Sequence, residues 1–322
     1  MTNSGGNSGA IWAHFALFAV GAIYAGNYIV AKGLMPDVVG PSGFIVLRVV
    51  GGTAMFFAVM LLLRVLGVAK IERIERADFP RLILCGLCGV AINQLCFFNG
   101  LALTSPIHAS LIMTVNPIFV LLISAITLGN KITARKIAGI CIGGTGAGLL
   151  LLFSGQTSAV ESGASWEGDL LVLINAFAYG VYLVAVKPLM TKYHPMTIIS
   201  WVFLFGMVFV LPIGMDQVLD IQWGHLEKHH FQGLLYVILG TTFLAYLLNI
   251  FALNKVSPVV VSIYIYLQPL IVVLLVGILA LIGWGNYHND INSFTGLFAF
   301  AIFTGVWLVS VPKGWIIERI KG

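Results

Sequence analysis

Charge is what this chain has least of. Only 9% of its 322 residues are Asp, Glu, Lys or Arg, against about a quarter in soluble domains. So few charges cannot cover a water-exposed surface, which excludes a soluble fold. Cysteine is scarce as well. Cys85, Cys88, Cys96 and Cys141 all lie in apolar stretches, and no loop carries one, so no disulfide framework is expected. Cys85-x-x-Cys88 has the spacing of a redox pair but sits on a predicted transmembrane helix, where structural thiols are the simpler reading. Residues 1–10 lack the basic segment and cleavage site of a signal peptide; being polar and rich in Gly, Ser and Asn, they read as disordered. Intramembrane catalysis lacks its usual pieces. There is no His-Glu-x-x-His, and no Ser/His or Asp pair at depth; His108 and Ser110 are two apart and point to different helix faces. The Gly144-x-Gly146-x-Gly148 run follows no strand and reads as close helix packing, not a nucleotide loop. His225, His229 and His230 read as ordinary loop histidines. Neither metal nor cofactor is expected.

What the chain has is apolar length: 59% hydrophobic residues and a mean hydropathy of +1.01. At about 20 residues per crossing, the pattern predicts an all-α polytopic membrane protein with ten spans, near 11–34, 42–66, 80–103, 106–128, 134–153, 168–187, 196–214, 231–251, 258–282 and 292–312. Of 17 Lys and Arg, 14 fall in the even-numbered loops and the C-terminus. The positive-inside rule then puts both termini in the cytoplasm. The same asymmetry explains the net charge of +5: the basic groups face a membrane surface, not nucleic acid.

The chain repeats itself. Ser105 to Pro117 returns as Ser257 to Pro269, each copy opening Ser-Pro, carrying a second Ser five residues on (Ser110, Ser262) and ending in an amide and a proline. Ser-Pro is an N-cap and first helical residue. The second proline, deep in an apolar helix, predicts a kink at Pro117 and at Pro269. Tyr24, Lys32 and Met35 match Tyr179, Lys187 and Met190 at an offset of 155, and Asn99-x-x-Ala102-Leu103 matches Asn249-x-x-Ala252-Leu253 at 150. Five spans per half is an odd number, so the halves are expected to be inverted repeats, 11–153 and 168–312, followed by a cytoplasmic tail, 313–322. Repeats with matching broken helices mark transporters whose site lies near the breaks.

The order of Tyr24-x-x-Asn27, Lys32, Leu47-Arg48, Ala91-x-Asn93-Gln94, Ala102-Leu103, Asn116-Pro117 and Leu267-Gln268-Pro269 resembles the drug/metabolite transporter superfamily, EamA-type branch. The family's Gly-Glu after spans four and nine is replaced by Gly129-Asn130 and Gly285-Asn286, so no role of that glutamate carries over. The resemblance implies a multi-pass carrier of the bacterial inner membrane, monomeric or homodimeric. It implies export of small amphipathic metabolites, amino acids or related compounds, by alternating access. A scaffold, a sensor or an intramembrane enzyme are the alternatives.

Polar side chains inside a bilayer must find partners and so face the bundle. On that ground Tyr24, Asn27, Arg48, Asn93, Gln94, Asn116, Tyr179, Tyr182, Asn249, Tyr264 and Gln268 are the expected substrate-binding residues. Asn116 and Gln268 are expected where the two kinks approach each other. Arg48 either snorkels to the interface or faces a cavity and anchors a carboxylate. Lys32 and Lys187 read as interfacial anchors. No Asp or Glu falls at mid-depth, Asp37 and Asp169 lying at span ends, so facilitated transport or exchange is favoured over a strongly proton-driven pump.

Overall fold

A computed structural model describes residues 4–35, 37–67, 72–128, 133–153, 165–281 and 293–310; Gly129-Asn130, Gly285-Asn286 and the tail fall outside them. The described chain is helical, without strands. Eight stretches are apolar and long enough to cross a bilayer: Ile11–Leu34, Pro41–Val65, Arg76–Leu103, Pro106–Thr127, Trp166–Thr191, Pro195–Leu219, Lys228–Lys255 and Pro258–Leu279.

The helices, in chain order, are α1 (Ser4–Leu34), α2 (Pro41–Val65), α3 (Phe79–Gly86), α4 (Asn93–Leu103), α5 (Pro106–Met113), α6 (Asn116–Leu128) and α7 (Ala134–Phe153). The second half supplies α8 (Trp166–Val186), α9 (Pro195–Leu219), α10 (Lys228–Leu235), α11 (Ala245–Lys255), α12 (Pro258–Ile263), α13 (Leu267–Leu281) and α14 (Ser293–Ser310). The first helix begins at Ser4, inside the stretch expected to be disordered. Once the apolar segment nucleates, each added turn gains backbone hydrogen bonds without a new nucleus.

Both predicted breaks are present. Pro117 has no N–H and its ring collides with the carbonyl four residues back, so the helix stops at Met113 and restarts at Asn116. Tighter bonds bridge the gap, from Thr114 N–H to the Leu111 carbonyl at 3.1 Å and from Val115 N–H to Ile112 at 3.0 Å. Before Pro269 the break is a 3-10 turn over Tyr264–Tyr266. Ser105 and Ser257 cap the N-termini as expected, each accepting the N–H three residues on. The sequence did not foretell two π-helical segments, Leu87–Ile92 between α3 and α4 and Tyr236–Leu244 between α10 and α11. Such wide turns concentrate at functional sites.

Contacts obey a two-fold exchange of halves. The α4 helix packs on α8 as α11 packs on α1, and α6 lies on α8 as α13 lies on α1. The broken helices meet, α5 on α13 and α6 on α12. On the exchange axis α2 runs along α9, and α7 along α14. Glycine admits the last pair: a Cβ on Gly146 would sit 2.9 Å from that of Ala301. Outward faces carry Leu61, Leu62, Val65, Ile126, Val208, Leu219 and Phe300, all exposed, as a lipid-facing surface requires.

The mirror also corrects a register. The span-three helix ends at Leu103 and its counterpart at Lys255, an offset of 152. Lys32 Nζ donates to the carbonyls of Leu101 and Thr104, at 2.8 and 2.9 Å. Lys187 Nζ donates to those of Leu253 and Val256, again 152 residues on. The lysines therefore hold helix C-termini, where a cation meets the negative end of the helix dipole. The match of Asn99 to Asn249 at 150 is a coincidence of letters: Asn99 bonds Ser42 Oγ at 3.2 Å, and its true counterpart is Phe251.

The charged connection before span three is docked rather than lying free on the surface. Asp78 accepts hydrogen bonds from Lys192 Nζ at 3.0 Å and Tyr193 OH at 2.8 Å, and Glu72 accepts the His194 N–H. The Asp78 bond holds the Lys192 ammonium above the ordinary lysine range.

Candidate functional site

At the centre of the bundle is a cavity walled by both halves. Leu17, Val20, Phe97, Met113, Val261 and Ile265 make its apolar walls. That lining, apolar with a few convergent polar groups, is of the kind that holds a small organic molecule.

Nine of the eleven expected residues line it: Tyr24, Asn27, Arg48, Asn93, Gln94, Tyr179, Asn249, Tyr264 and Gln268. Two do not. Asn116 turns away to donate to the Ala176 carbonyl at 2.6 Å, so it fastens the broken helix to α8. Its mirror, Gln268, does reach the cavity, where its Oε1 accepts the Tyr28 hydroxyl at 2.9 Å. Tyr182 packs behind Tyr179, ring centroids 6.0 Å apart, and lies over Gly89.

Arg48 does not snorkel. It is 3% exposed. Its Nε donates to Thr242 Oγ1 at 2.9 Å, and that hydroxyl in turn donates to the Val237 carbonyl at 2.9 Å. The π-helical turn sets Thr242 at this angle. The guanidinium lies 4.4 Å from the Phe98 ring centroid, a cation–π contact. Its Nη1 is buried without a partner. Among the described residues no carboxylate pairs with it. The repeat supplies this cation once: the helix starts Pro41 and Pro195 place Val202 opposite Arg48, and Thr242 has Val90 as its counterpart.

Unpaired acceptors complete the set. Asn249 Nδ2 donates to the Tyr179 hydroxyl, Asn175 Nδ2 to the Asn93 carbonyl at 2.6 Å and Gln94 Nε2 to Tyr246 OH at 3.5 Å. Each amide thus commits its NH₂ end to the protein. The oxygens of Asn249, Asn175 and Gln94 are left buried without partners, as is that of Asn27. Buried polar atoms without partners are uncommon in proteins and costly. The residues that carry these atoms, Asn27, Gln94, Asn175, Asn249 and Arg48, all line the one cavity, a lone cation among neutral amides.

The family model described as "EamA-like transporter family" matches residues 11–152 and 166–311. The chain belongs to that family. The EamA-type chain is 30% identical over 147 residues to a "Probable terminal-alkyne amino-acid exporter" of Streptantibioticus cattleyicolor, a likeness covering 46% of this chain and 48% of the relative. It is 24% identical over 242 residues to an uncharacterized transporter of Archaeoglobus fulgidus, covering 74% and 78%. A WAT1-related protein of Arabidopsis thaliana is 24% identical over 319 residues, covering 91% and 83%. One solved crystal structure superposes with a TM-score of 0.61 at 17% identity, covering 94% of this chain and 97% of the other, which speaks for the fold alone.

Three polar lining residues of this EamA protein, Tyr28, Asn175 and Tyr246, stand outside the expected set. Tyr28 and Asn175 are polar groups inside predicted spans and meet the criterion that selected the others. Tyr246 matters because it is the counterpart of Gln94. The remaining motifs stay outside the cavity. Ser110 Oγ donates to the Ile107 carbonyl at 2.8 Å. His230 Nδ1 accepts the Glu227 N–H at 3.0 Å, capping α10, while His225 pairs with Gln222. Among the described residues no cluster of metal-ligating side chains occurs.

Proposed function

We propose that this protein is a ten-span inner-membrane carrier of two inverted five-span repeats, with both termini cytoplasmic. It moves amino acids or related small amphipathic metabolites outward by alternating access. One observation carries the substrate class: the residues lining the cavity include one cation, Arg48, and four amides, Asn27, Gln94, Asn175 and Asn249, between apolar and aromatic walls, and Arg48 Nη1 and the four amide oxygens have no partner in the protein. A zwitterion answers both needs, its carboxylate on the guanidinium and its ammonium on the amide oxygens. A dianion would leave the acceptors unpaired, and a simple cation would face Arg48. The amino-acid exporter among the relatives supports the same class. The breaks at Pro117 and Pro269 lie where the two halves meet and supply the hinges of the exchange.

The test is counterflow in proteoliposomes holding the full-length protein and radiolabelled L-phenylalanine or L-leucine. Saturable flux with trans-stimulation, reduced at least tenfold by Arg48→Gln, is expected. Absence of flux for every amino acid tried would overturn the substrate class. Flux that is linear with concentration would mark a pore.

A further inference from the structure

Away from the cavity, three side chains make a buried polar cluster that the transport site does not use. Asp169, on the first turn of α8, is 0% exposed. Its Oδ1 accepts the Thr104 hydroxyl at 2.5 Å, and its Oδ2 lies 3.1 Å from His108 Nδ1. We propose that Thr104, His108 and Asp169 form a proton-binding site that closes one mouth of the bundle. On the carrier reading above, this site makes the protein exchange its substrate for protons.

Position near a span end concealed this carboxylate in the sequence, but packing buries it. Gly100 and Gly168 let α4 and α8 touch: a Cβ on Gly100 would lie 2.8 Å from the Gly168 carbonyl oxygen. That contact seals the helix start over Asp169.

The chemistry is one proton. With its Nδ1–H donated to Asp169, neutral His108 offers Nε2 as the atom that takes a proton, since each ring nitrogen has its own role. Protonation gives an imidazolium–carboxylate pair with no net charge. Deprotonation leaves the Asp169 carboxylate with the Thr104 hydroxyl and the positive end of α8 but removes the imidazolium's attraction, which is the part of its support that α5 supplies. The loss falls on α5, which carries His108 and is already cut from α6 at Thr114-Val115. Loss of the proton therefore favours swinging α5 off α8 and admitting water.

The other charged and titratable groups around the cluster are few. From α1 come Lys32, which holds the Thr104 carbonyl at 2.9 Å, and Tyr28, bonded to Gln268. On α8 itself Glu167 is exposed. The α4 helix brings Cys96, and α6 and α13 bring none; Arg135 and Lys136 of α7 lie in its first turn, at the end away from α8's start.

Asymmetry argues for function over architecture. The lysine caps are needed in both halves and occur in both. The counterparts of Thr104, His108 and Asp169 are Val256, Val260 and His14, and His14 bonds the Tyr264 hydroxyl at 2.6 Å. No carboxylate stands there. Only one mouth, the one that the positive-inside count places outside, can respond to a proton in this way.

Two measurements on the full-length protein decide the matter. In the first, without substrate, histidine ring signals are followed by NMR in nanodiscs between about pH 5 and 8, the range where histidine ordinarily changes charge. The signal lost in His108→Gln should titrate in the wild type. Its midpoint should move alkaline in Thr104→Val, which keeps both titrating groups but removes a donor to the charged carboxylate. A His108 signal constant with pH, or unmoved by Thr104→Val, overturns the proposal.

In the second, proteoliposomes enclosing a pH-sensitive dye are given a gradient of L-phenylalanine. Protons should move against the amino acid. His108→Gln and Asp169→Asn should keep substrate-for-substrate counterflow and lose at least tenfold of the proton movement. Amino-acid flux with no proton movement in the wild type overturns the proton site and leaves the carrier reading standing. No L-phenylalanine flux at all counts against the carrier reading, and the NMR titration then judges the proton site by itself.

Discussion

Gln94 and Tyr246 touch at 3.5 Å although 152 residues separate them, and 152 is the offset of the repeat in these helices. Each is the other's counterpart. A residue that touches its own counterpart lies on the axis relating the two halves, so this contact marks the centre of the molecule. Tyr246 OH also donates to the Gly89 carbonyl at 3.1 Å, inside the π-helical turn of the first half. The contact sits in the cavity wall, where an exchange of roles between the halves must pass through it.

Removing that hydroxyl should therefore weaken both folding and turnover. Tyr246→Phe leaves the ring against Phe203, 4.9 Å between centroids, and deletes only the polar end. About 1 kcal/mol of stability should be lost, the net worth of an ordinary hydrogen bond, as read by unfolding in detergent. In a double-mutant cycle with Gln94→Ala, the second substitution should cost measurably less once the first is made. Full additivity would mean that the two side chains do not interact.

Arg48 should discriminate by carboxylate. Truncating one partner of a buried, hydrogen-bonded charge pair costs roughly 2–5 kcal/mol. Arg48→Gln should thus weaken binding of L-phenylalanine at least about 30-fold, measured by thermal-shift titration, while phenethylamine, which lacks the carboxylate, should not lose affinity. Arg48→Lys should restore little, because an ammonium has no Nε to hold Thr242 while presenting a second nitrogen to the ligand. Equal losses for acid and amine would show that the substitution damages the cavity as a whole.

Much of this was open to reading in the sequence. Long apolar runs dictate spans, and the prolines at 117 and 269 dictate breaks, because each depends on local chemistry alone. The cavity residues followed from one rule, that polar groups in lipid turn inward, and the rule names Asn249 as readily as Asn116. It cannot say which inward space a side chain enters, and Asn116 enters a helix contact instead. The π-helical turns had no signature, since a shifted bonding pattern is decided by packing. The register error came from letters alone: Asn99 and Asn249 match, but the lysine caps and helix ends place Asn249 opposite Phe97. Asp169 stands at a span end, as its place in the sequence says; its burial has no signature there, because the Gly100–Gly168 approach determines it.

The two capping lysines should prove equivalent in kind. Lys32 reaches the carbonyls of Leu101, Ala102 and Thr104, and Lys187 those of Leu253 and Val256. Hydrogen bonds to a charged group are worth about 1.5–3 kcal/mol, and both ammonium groups are part-buried. Lys32→Met and Lys187→Met should each lower stability by roughly 1–3 kcal/mol, the former more because it opens a third carbonyl. A surface control, Lys228→Met, should change unfolding by less than about 0.5 kcal/mol. If all three behave alike, the lysines anchor to the interface and cap nothing.

Gly144, Gly146 and Gly148 look interchangeable in the sequence, and the structure separates them. A Cβ on Gly146 would lie 2.9 Å from Ala301 Cβ and 3.0 Å from the Phe298 carbonyl oxygen, whereas nothing lies within 4 Å of one on Gly144 or Gly148. The first distance is shorter than side chains tolerate, and backbone on the far side cannot yield. Gly146→Val must push α7 from α14, and overpacking of this kind costs about 1–3 kcal/mol. Gly144→Ala and Gly148→Ala meet open space and remove the backbone freedom that makes glycine a poor helix former, so each should be neutral or stabilising by up to about 1 kcal/mol. Unfolding curves of the three variants in one detergent would order them. If Gly144→Ala proved as damaging as Gly146→Val, a further surface, such as a second copy of the chain, would have to cover that face of α7.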